Sequence, residues 1–337
     1  MDLWITFVGT AASVPTASRG TSSTLVVRGG DRVLIDCGEG TQRQLLRSGL
    51  GLVDVDAILI THLHGDHYLG LPGLLKTYAL RGRTEDLPLI GPPGLEALLG
   101  TLSPVIGRLP FRLDAHDAEP GTVREINGGR WAAFPTRHSV RSLGYALVED
   151  PRPGMFDVTA ATTLGVTPGP LFGKLQRGES VTTTGGTVTP DQVLGPPRPS
   201  RTVVITGDTE PCDGTVAAAE RADLLIHEAT FLDADRQRAR ETRHSTAAEA
   251  ASVAAAAHVT LLALTHLSSR FMPRDIRKEA EAVFPATVVP RDFDQIEVPY
   301  QERSAPVFHA GGVRARSGED TPGAPGPPDT VPDESDL

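Results

Sequence analysis

Three histidines and one aspartate are crowded into the segment Thr61-His62-Leu63-His64-Gly65-Asp66-His67. The histidines directly follow a short apolar run at residues 57–61, which is typical of a buried strand. Zn²⁺ accepts histidine nitrogen and carboxylate oxygen where cysteine is absent, and one zinc ion takes about four ligands. Four ligand-type residues here, with more at other strand ends, therefore indicate two metals. The alternative is a hydrogen-bonded loop that is rich in histidine by chance.

The same pattern, a short buried-strand run that ends in a polar residue, occurs three more times. Runs at residues 203–206, 223–226 and 261–265 precede Asp208, His227-Glu228 and His266. Strand-like runs also occupy residues 4–8, 23–28 and 32–36, and helical patterns occupy residues 41–47, 70–78, 95–102, 213–220, 246–257 and 274–283. Strands that alternate with helices predict an α/β layered fold with functional groups at the strand ends.

Composition excludes several classes of protein. The chain has 337 residues, 39% of them apolar, and no apolar run approaches the length of about 18 that a membrane span needs. The N-terminus has no secretory-signal pattern, and two cysteines, Cys37 and Cys212, are too few for a disulfide scaffold. A cytoplasmic protein that does not enter the membrane is expected. The net charge of −10 falls to −4 without the six acids of residues 317–337, a proline-rich stretch that predicts disorder.

The string His-x-His-x-Asp-His after a strand resembles the signature of the metallo-β-lactamase superfamily, whose members form αβ/βα sandwiches with a dinuclear metal site. Further strings resemble the ordered motifs of the ribonuclease Z family, the tRNA 3′-processing endonucleases. These strings lie at residues 36–42, 207–209, 227–230, 244–246, 265–266 and 292–294. Residues 165–175 lie inside a segment, 151–200, that holds eight prolines and eight glycines. They resemble the protruding, tRNA-gripping arm of the short bacterial form.

This resemblance implies a site with two zinc ions per subunit. One ion would be held by His62, His64 and His138 and the other by Asp66, His67 and His266, with Asp208 as a bridge. Asp66 would also orient or deprotonate the attacking water. His244 would protonate the leaving 3′-oxygen, and Glu228 would orient the His244 imidazole. The implied reaction removes the 3′ trailer from precursor tRNA and leaves a 3′-hydroxyl on the tRNA and a 5′-phosphate on the trailer.

The expected organisation is a catalytic domain over residues 1–310, with the arm at residues 151–200 inserted, and a disordered tail at residues 311–337. A plain surface loop is the alternative for the arm. Candidate tRNA contacts are Phe172, Lys174 and Arg177 in the arm, Arg19 after the first strand, and an arginine cluster at positions 236, 238, 240 and 243. The cluster could equally be a solvated helix face. The resemblance also implies a homodimer in which one subunit's arm holds tRNA cut by the other.

Two other functions remain open. A superfamily hydrolase could act on another ester, such as a small phosphodiester, a sulfate ester or a thioester, although small substrates do not need an arm. A non-catalytic RNA-binding protein on this fold would lack part of the ligand set, and here all seven positions are filled. The loop that carries Arg19 also departs from the family pattern. Ala17 and Gly20 stand where many members have lysine and asparagine.

Overall fold

Two sheets packed face to face organise the residues that the computed structural model describes, 1–52 and 54–311. The expected acidic tail lies outside these residues except for Gly311. In the first sheet the strand order is β17-β16-β1-β2-β3-β4-β5-β6, and β3 to β6 run parallel. Its strands are β1 (Leu3–Gly9), β2 (Ser23–Arg28), β3 (Asp31–Ile35), β4 (Ala57–Leu59), β5 (Leu87–Gly91), β6 (Leu113–Asp117), β16 (Gln295–Glu297) and β17 (Val307–His309).

The second sheet has the order β15-β14-β13-β12-β9-β8-β7, with β12 to β15 parallel and β7 to β9 antiparallel. Its strands are β7 (Val123–Ile126), β8 (Gly129–Pro135), β9 (Leu143–Val148), β12 (Thr202–Ile205), β13 (Leu224–Glu228), β14 (Leu261–Thr265) and β15 (Thr287–Val288). Because β12, β13 and β14 are parallel neighbours, the loops that follow them meet at one edge of the sheet.

Helices cover the outer face of each sheet. The α-helices of the described residues are α1 (Thr41–Arg47), α2 (Gly65–Tyr68), α3 (Leu71–Leu80), α4 (Leu95–Ile106), α5 (Val158–Thr163), α6 (Pro170–Gln176), α7 (Asp213–Ala218), α8 (Arg236–Thr242), α9 (Ala247–Ala256) and α10 (Pro273–Glu281). Helices α1, α3 and α4 pack on the first sheet, and α7, α9 and α10 pack on the second. Among the described residues, no helix combines the length and the apolar character needed to cross a bilayer.

The central core lies between the two sheets. Ile5 and Ile35 of the first sheet pack in one cluster with Tyr145, Ile205 and Ile226 of the second. Burial of a large apolar side chain of this kind contributes about 1.5–3 kcal/mol to stability, so alternate positions on these strands are apolar. The layers therefore run helix, sheet, sheet, helix, and the αβ/βα sandwich expected from the sequence is confirmed.

Residues 151–200 fold on themselves instead of forming a plain loop. They contain α5, α6 and a separate hairpin of β10 (Val181–Thr183) and β11 (Gly186–Val188). Six buried side chains form a small core of their own within the segment: Ala161, Val166, Leu175, Val181, Val188 and Val193. Near the two ends of the segment, Arg152 pairs with Arg198. We keep the name arm for residues 151–200.

Candidate metal centre

The seven residues expected to bind metal come together at one edge of the sandwich. They follow strand ends or begin the short helix α2: His62 and His64 after β4, Asp66 and His67 in α2, His138 after β8, Asp208 after β12 and His266 after β14. Two backbone links hold the loops together. His62 forms a bridge to Ser142, and the Leu143 amide donates to the Thr61 carbonyl at 2.9 Å. Strand ends from both sheets thus build the site.

The first group consists of three imidazoles and one carboxylate. Nε2 of His62 and Nε2 of His138 each lie 3.1 Å from Nδ1 of His64. Oδ2 of Asp208 lies 3.6 Å from His62 Nε2 and 4.0 Å from His138 Nε2. Three imidazole nitrogens directed at one another beside a carboxylate oxygen are the donor set of a borderline cation such as zinc.

The second group shares the same aspartate. Nε2 of His266 lies 3.3 Å from both Asp66 Oδ2 and Asp208 Oδ2. Nε2 of His67 lies 3.6 Å from Asp66 Oδ2 and 3.4 Å from Asp208 Oδ2. Asp208 Oδ2 therefore faces both groups, which is the geometry of a residue able to bridge two cations.

Contacts behind the ligands fix which ring nitrogen faces the centre. Nδ1 of His67 is 2.7 Å from Asp36 Oδ2, and Nδ1 of His138 is 2.9 Å from the Arg243 carbonyl. Nδ1 of His266 is 2.9 Å from Thr230 Oγ1. Each contact leaves Nε2 for a metal, as in sites where a second residue orients the ligand histidine. Asp36 and Thr230 lie in motifs of the sequence, but their role could not be predicted from it, because their partners are 31 and 36 residues away.

Two buried atoms show that the pocket fits a cation. His67 Nε2 and Asp208 Oδ1 are buried and have no hydrogen-bond partner among the described residues. A buried polar atom without a partner costs free energy, and a carboxylate without one costs more. A metal ion bound by these atoms would remove that cost. The donor set of imidazole and carboxylate therefore fits the metals that the sequence implies.

The electrostatics of the pocket agree with this arrangement. Burial, aided by neighbouring His67, holds the pKa of His62 well below its usual range, and burial also lowers the pKa of His64 and His138. Burial opposes ionisation of Asp208, but the surrounding imidazoles, His266 first, outweigh it and hold the Asp208 pKa well below its usual range. Burial lowers the pKa of His67, but the Asp208 and Asp36 carboxylates outweigh burial and raise that pKa well above its usual range. A metal ion bound at His67 would displace this proton, because only a neutral imidazole binds a metal.

His244 stands beside the ligands but is held by a different partner. Its Nδ1 lies 2.7 Å from Oε1 of Glu228, which is buried at the end of β13. Burial lowers the pKa of His244, but the Glu228 carboxylate outweighs burial and raises the pKa to about 9. His244 also falls within 4.8 Å of Asp208 and His266 as a possible third ligand group. A charged imidazole can donate a proton, which agrees with the role that the family resemblance implies for His244, so we propose that His244 lies outside the metal set.

The candidate tRNA contacts differ in their exposure. Lys174 and Arg177 are exposed, and Arg177 Nε donates to Glu179 at 3.0 Å. Phe172 is half-buried, with its ring centroid 4.8 Å from that of Phe156, and it packs against the arm's own core. Arg19 is also half-buried and donates to the Pro290 carbonyl at 2.9 Å.

In the arginine cluster before His244, Arg238 and Arg240 are exposed. Arg236 pairs with Asp233 on the exposed side of α8. Arg243 differs, because its guanidinium donates to the His138 carbonyl at 2.9 Å while its own carbonyl holds His138 Nδ1. The residue immediately before His244 thus positions a metal ligand.

Comparison with known proteins agrees with the fold. The family model described as Metallo-beta-lactamase superfamily matches residues 18–242. The metallo-beta-lactamase fold protein YhfI from Bacillus subtilis has a TM-score of 0.65 at 22% identity, and the match covers 88% of this chain and 99% of that chain. The chain therefore belongs to the metallo-β-lactamase superfamily.

Closer relatives narrow the assignment. The chain is 44% identical over 303 residues to ribonuclease Z of Methanosarcina acetivorans, which covers 89% of this chain and 99% of that protein. It is 50% identical over 270 residues to ribonuclease Z of Myxococcus xanthus, covering 80% and 88%. The short form of human tRNase Z has a TM-score of 0.63 at 29% identity and covers 88% of this chain and 99% of that chain. Within the superfamily, the chain belongs to the ribonuclease Z family.

Proposed function

We infer that this chain is a metal-dependent endoribonuclease that removes the 3′ trailer from precursor tRNA. The observation that carries this function is a centre in which two ligand groups share Asp208 while the His244–Glu228 pair stands beside them. Such a centre suits phosphodiester hydrolysis, because it offers sites for two cations and a separate proton donor. The family membership supplies the substrate. The tRNA keeps a 3′-hydroxyl and the trailer leaves with a 5′-phosphate.

The metals we propose are two zinc ions per subunit. His62, His64 and His138 would hold one ion, and Asp66, His67 and His266 the other, with Asp208 between them. When bound, the metals activate a water at neutral pH and stabilise the charge that develops on the phosphoryl oxygens. The nitrogen-rich donor set supports zinc over magnesium or calcium, which prefer oxygen ligands.

We assign proton transfer to two side chains of the chain itself. Asp66 is ionised, because contacts with His266 and His67 outweigh burial and lower its pKa, and its Oδ2 accepts a hydrogen bond from the Ser13 amide at 2.8 Å. It would orient the attacking water and take its proton. As the bond from phosphorus to the tRNA 3′-oxygen breaks, His244 would give its proton to that oxygen. Glu228 keeps the imidazole charged and aimed.

The arm is proposed to bind the body of the tRNA. Strand β9 starts at Leu143, beside the metal histidines, and ends at Val148, next to the arm. Six strand residues span roughly 17 Å, so the arm joins the body at the end of the sheet away from the chemistry. Lys174 and Arg177 are exposed there for phosphate contacts. This separation supports a homodimer in which the arm of one subunit holds the tRNA that the other subunit cleaves. We also propose that the reaction takes place in the cytoplasm.

The test is incubation of the purified protein with a precursor tRNA that carries a 3′ trailer, with and without a chelator. We expect cleavage that the chelator abolishes and zinc restores, with the 3′-hydroxyl on the tRNA. Asp208→Ala, purified in the same way, is the matched control for a contaminating nuclease. Hydrolysis of a small phosphodiester without cleavage of any precursor tRNA would instead favour a superfamily hydrolase for another ester.

A further inference from the structure

Tyr300 lies between two arginines from different parts of the chain. The guanidinium carbon of Arg152 is 3.4 Å from the centroid of the Tyr300 ring, and that of Arg201 is 4.0 Å from it. Two guanidinium groups at these distances cannot share one ring face without overlap, so they flank the ring on opposite faces. Arginine stacked on an aromatic ring is a favourable contact through the ring's negative face.

Arg201, on one side of the ring, belongs to the sheet. It immediately precedes β12, and its side chain is 1% exposed. Its Nε and Nη2 each donate to a Glu149 carboxylate oxygen at 2.7 Å, and its Nη1 donates to the Val298 carbonyl at 2.9 Å. A buried bidentate ion pair of this kind holds Arg201, and through it one face of Tyr300, in a fixed position.

Arg152, on the other side of the ring, belongs to the base of the arm. Its backbone exchanges two hydrogen bonds with Arg198, at 3.1 and 2.9 Å, where the arm's two chain segments meet. Glu302 closes the same junction from the C-terminal segment. Its Oε1 accepts from Arg152 Nη2 at 2.5 Å and lies 3.6 Å from Arg198 Nη1. Tyr300 and Glu302 therefore tie both segments of the arm's base to the sheet.

We propose that Tyr300 and Glu302 are positioning residues that set the direction of the arm for substrate binding. The buried side chains of the arm's core cluster all belong to the arm, so that core holds the arm's internal shape but not its angle to the body. The angle depends on the base. We call the contacts that Tyr300 and Glu302 make at the arm's base the clamp. With the clamp in place, Lys174 and Arg177 are presented in one orientation to the phosphate backbone of the tRNA body. This inference rests on the proposed function, in which the arm binds tRNA.

The first experiment replaces the ring. Tyr300→Leu removes both stacking faces, and Tyr300→Phe keeps them. We expect Tyr300→Leu to raise the KM for precursor tRNA about tenfold with kcat nearly unchanged, because a loosened arm must be reordered on binding. Hydrolysis of a small chromogenic phosphodiester should not change. Tyr300→Phe should keep the original KM. Equal KM values for the Leu and Phe variants, or equal loss on both substrates, would overturn the proposal.

Glu302→Gln is a second test, in which the loss of a negative charge and the loss of the contact change KM in opposite directions. Glu302 is about 40% exposed and lies in a turn, so we expect this variant to fold. If Glu302 acts only through its negative charge, Glu302→Gln should lower the KM for precursor tRNA, because it removes repulsion of the tRNA phosphates. The clamp instead predicts a several-fold rise in KM, because Arg152 and Arg198 lose their shared partner. The matched control is Glu220→Gln, which removes a surface acid paired with Arg221 at 3.6 Å. A fall in KM for Glu302→Gln would overturn the clamp.

Replacement of the arm distinguishes a failure of the clamp from a failure of the proposed tRNA binding by the arm. If a chain without the arm keeps the original KM for precursor tRNA, the arm does not bind tRNA and the proposed role of the arm fails. If the armless chain has a raised KM while Tyr300→Leu and Glu302→Gln do not, the arm binds but the clamp is overturned. A third outcome supports the clamp: Lys174→Ala raises KM in the original protein but adds little when Tyr300→Leu is already present.

Discussion

Nδ1 of the partly exposed His244 lies 2.7 Å from Oε1 of the buried Glu228, and this pair stands beside the candidate metal ligands. Oε1 of Glu228 also accepts the Thr209 amide at 2.8 Å, and its Oε2 accepts the Thr230 hydroxyl at 2.6 Å. Thr230 in turn contacts Nδ1 of His266. One carboxylate thus orients the proposed proton donor and, through Thr230, the proposed metal ligand His266. Because Glu228 stays ionised against burial, the His244 pKa of about 9 keeps that imidazole charged at neutral pH.

His244→Ala should retain the metals and lose most cleavage. A general acid typically contributes about 10²- to 10⁴-fold to the rate, and His244 is the group placed to protonate the leaving oxygen. The measurements are metal content per chain and kcat on precursor tRNA. The paired variant is His266→Ala, which should lose metal. If His244→Ala lost one metal while His266→Ala lost none, the two assignments would be reversed.

Glu228→Gln should move the pH dependence of kcat. The Glu228 carboxylate raises the His244 pKa, so without it burial dominates and the pKa falls. The charged form is then lost at lower pH, and the alkaline limb of the kcat profile should shift to lower pH with a reduced maximum. The check is a kcat profile from about pH 6 to 10 at fixed zinc. An unchanged alkaline limb would show that His244 does not supply the proton.

Asp208→Ala should damage both metal sites together, whereas His62→Ala should mainly empty one. Oδ2 of Asp208 lies within 3.3–3.6 Å of His62, His67 and His266, which belong to two ligand groups. Elemental analysis after zinc saturation should give about two ions for the original protein and about one for His62→Ala. Fewer than two ions per chain in the original protein would contradict the dinuclear site.

Much of this centre could be predicted from the sequence because its ligands sit at the ends of short apolar runs. The helices at residues 41–47 and 246–257 and the strand at residues 23–28 also appear within a residue or so of their predicted bounds. The strand predicted at residues 223–226 continues to Glu228, which places Glu228 on the inner face of β13. The burial of Glu228 depends on the neighbouring strands, and a local sequence pattern holds no information about them.

Two strands between residues 87 and 148 show where the sequence gives too little signal. Strands β6 and β7 are the outer strands of their sheets and contain charged residues such as Asp114 and Glu125, so they lack a continuous apolar run. The arm's folded core was missed for a related reason. Its apolar residues are scattered among prolines and glycines, and only tertiary contact brings Val166, Leu175 and Val188 together.

Thr246→Ala should destabilise the protein by about 1 kcal/mol, the usual cost of losing an N-cap side chain. Thr246 Oγ1 accepts the Glu249 amide at 3.2 Å, and the Glu249 carboxylate accepts the Thr246 amide at 3.1 Å. These two hydrogen bonds form a capping box at the start of α9. The measurement is the free energy of unfolding in urea. Ser252→Ala, in the exposed middle of α9, is the control and should change it by less than half as much.

Removal of the arm should weaken precursor-tRNA cleavage severely and spare small substrates. The two chain segments of the arm are paired at a suitable deletion site. Phe156 pairs with Leu194, and the Asp157 amide donates to the Val193 carbonyl at 2.7 Å. Replacing residues 157–193 with Asn-Gly joins two antiparallel segments through a favoured hairpin turn. The central core and the metal ligands lie outside the replaced residues.

The expected signature is a large rise in KM for precursor tRNA with kcat nearly unchanged, since contacts far from the scissile bond contribute equally to substrate and transition-state binding. Hydrolysis of a small chromogenic phosphodiester should persist, because it needs only the metals and Asp66. Both substrates must be compared at one salt concentration, as phosphate contacts depend on ionic strength. The dependence of KM on salt should also become shallower, because Lys174 and Arg177 are gone. Equal loss on both substrates, with metal content reduced, would mean that the arm supports the catalytic centre and does not bind tRNA.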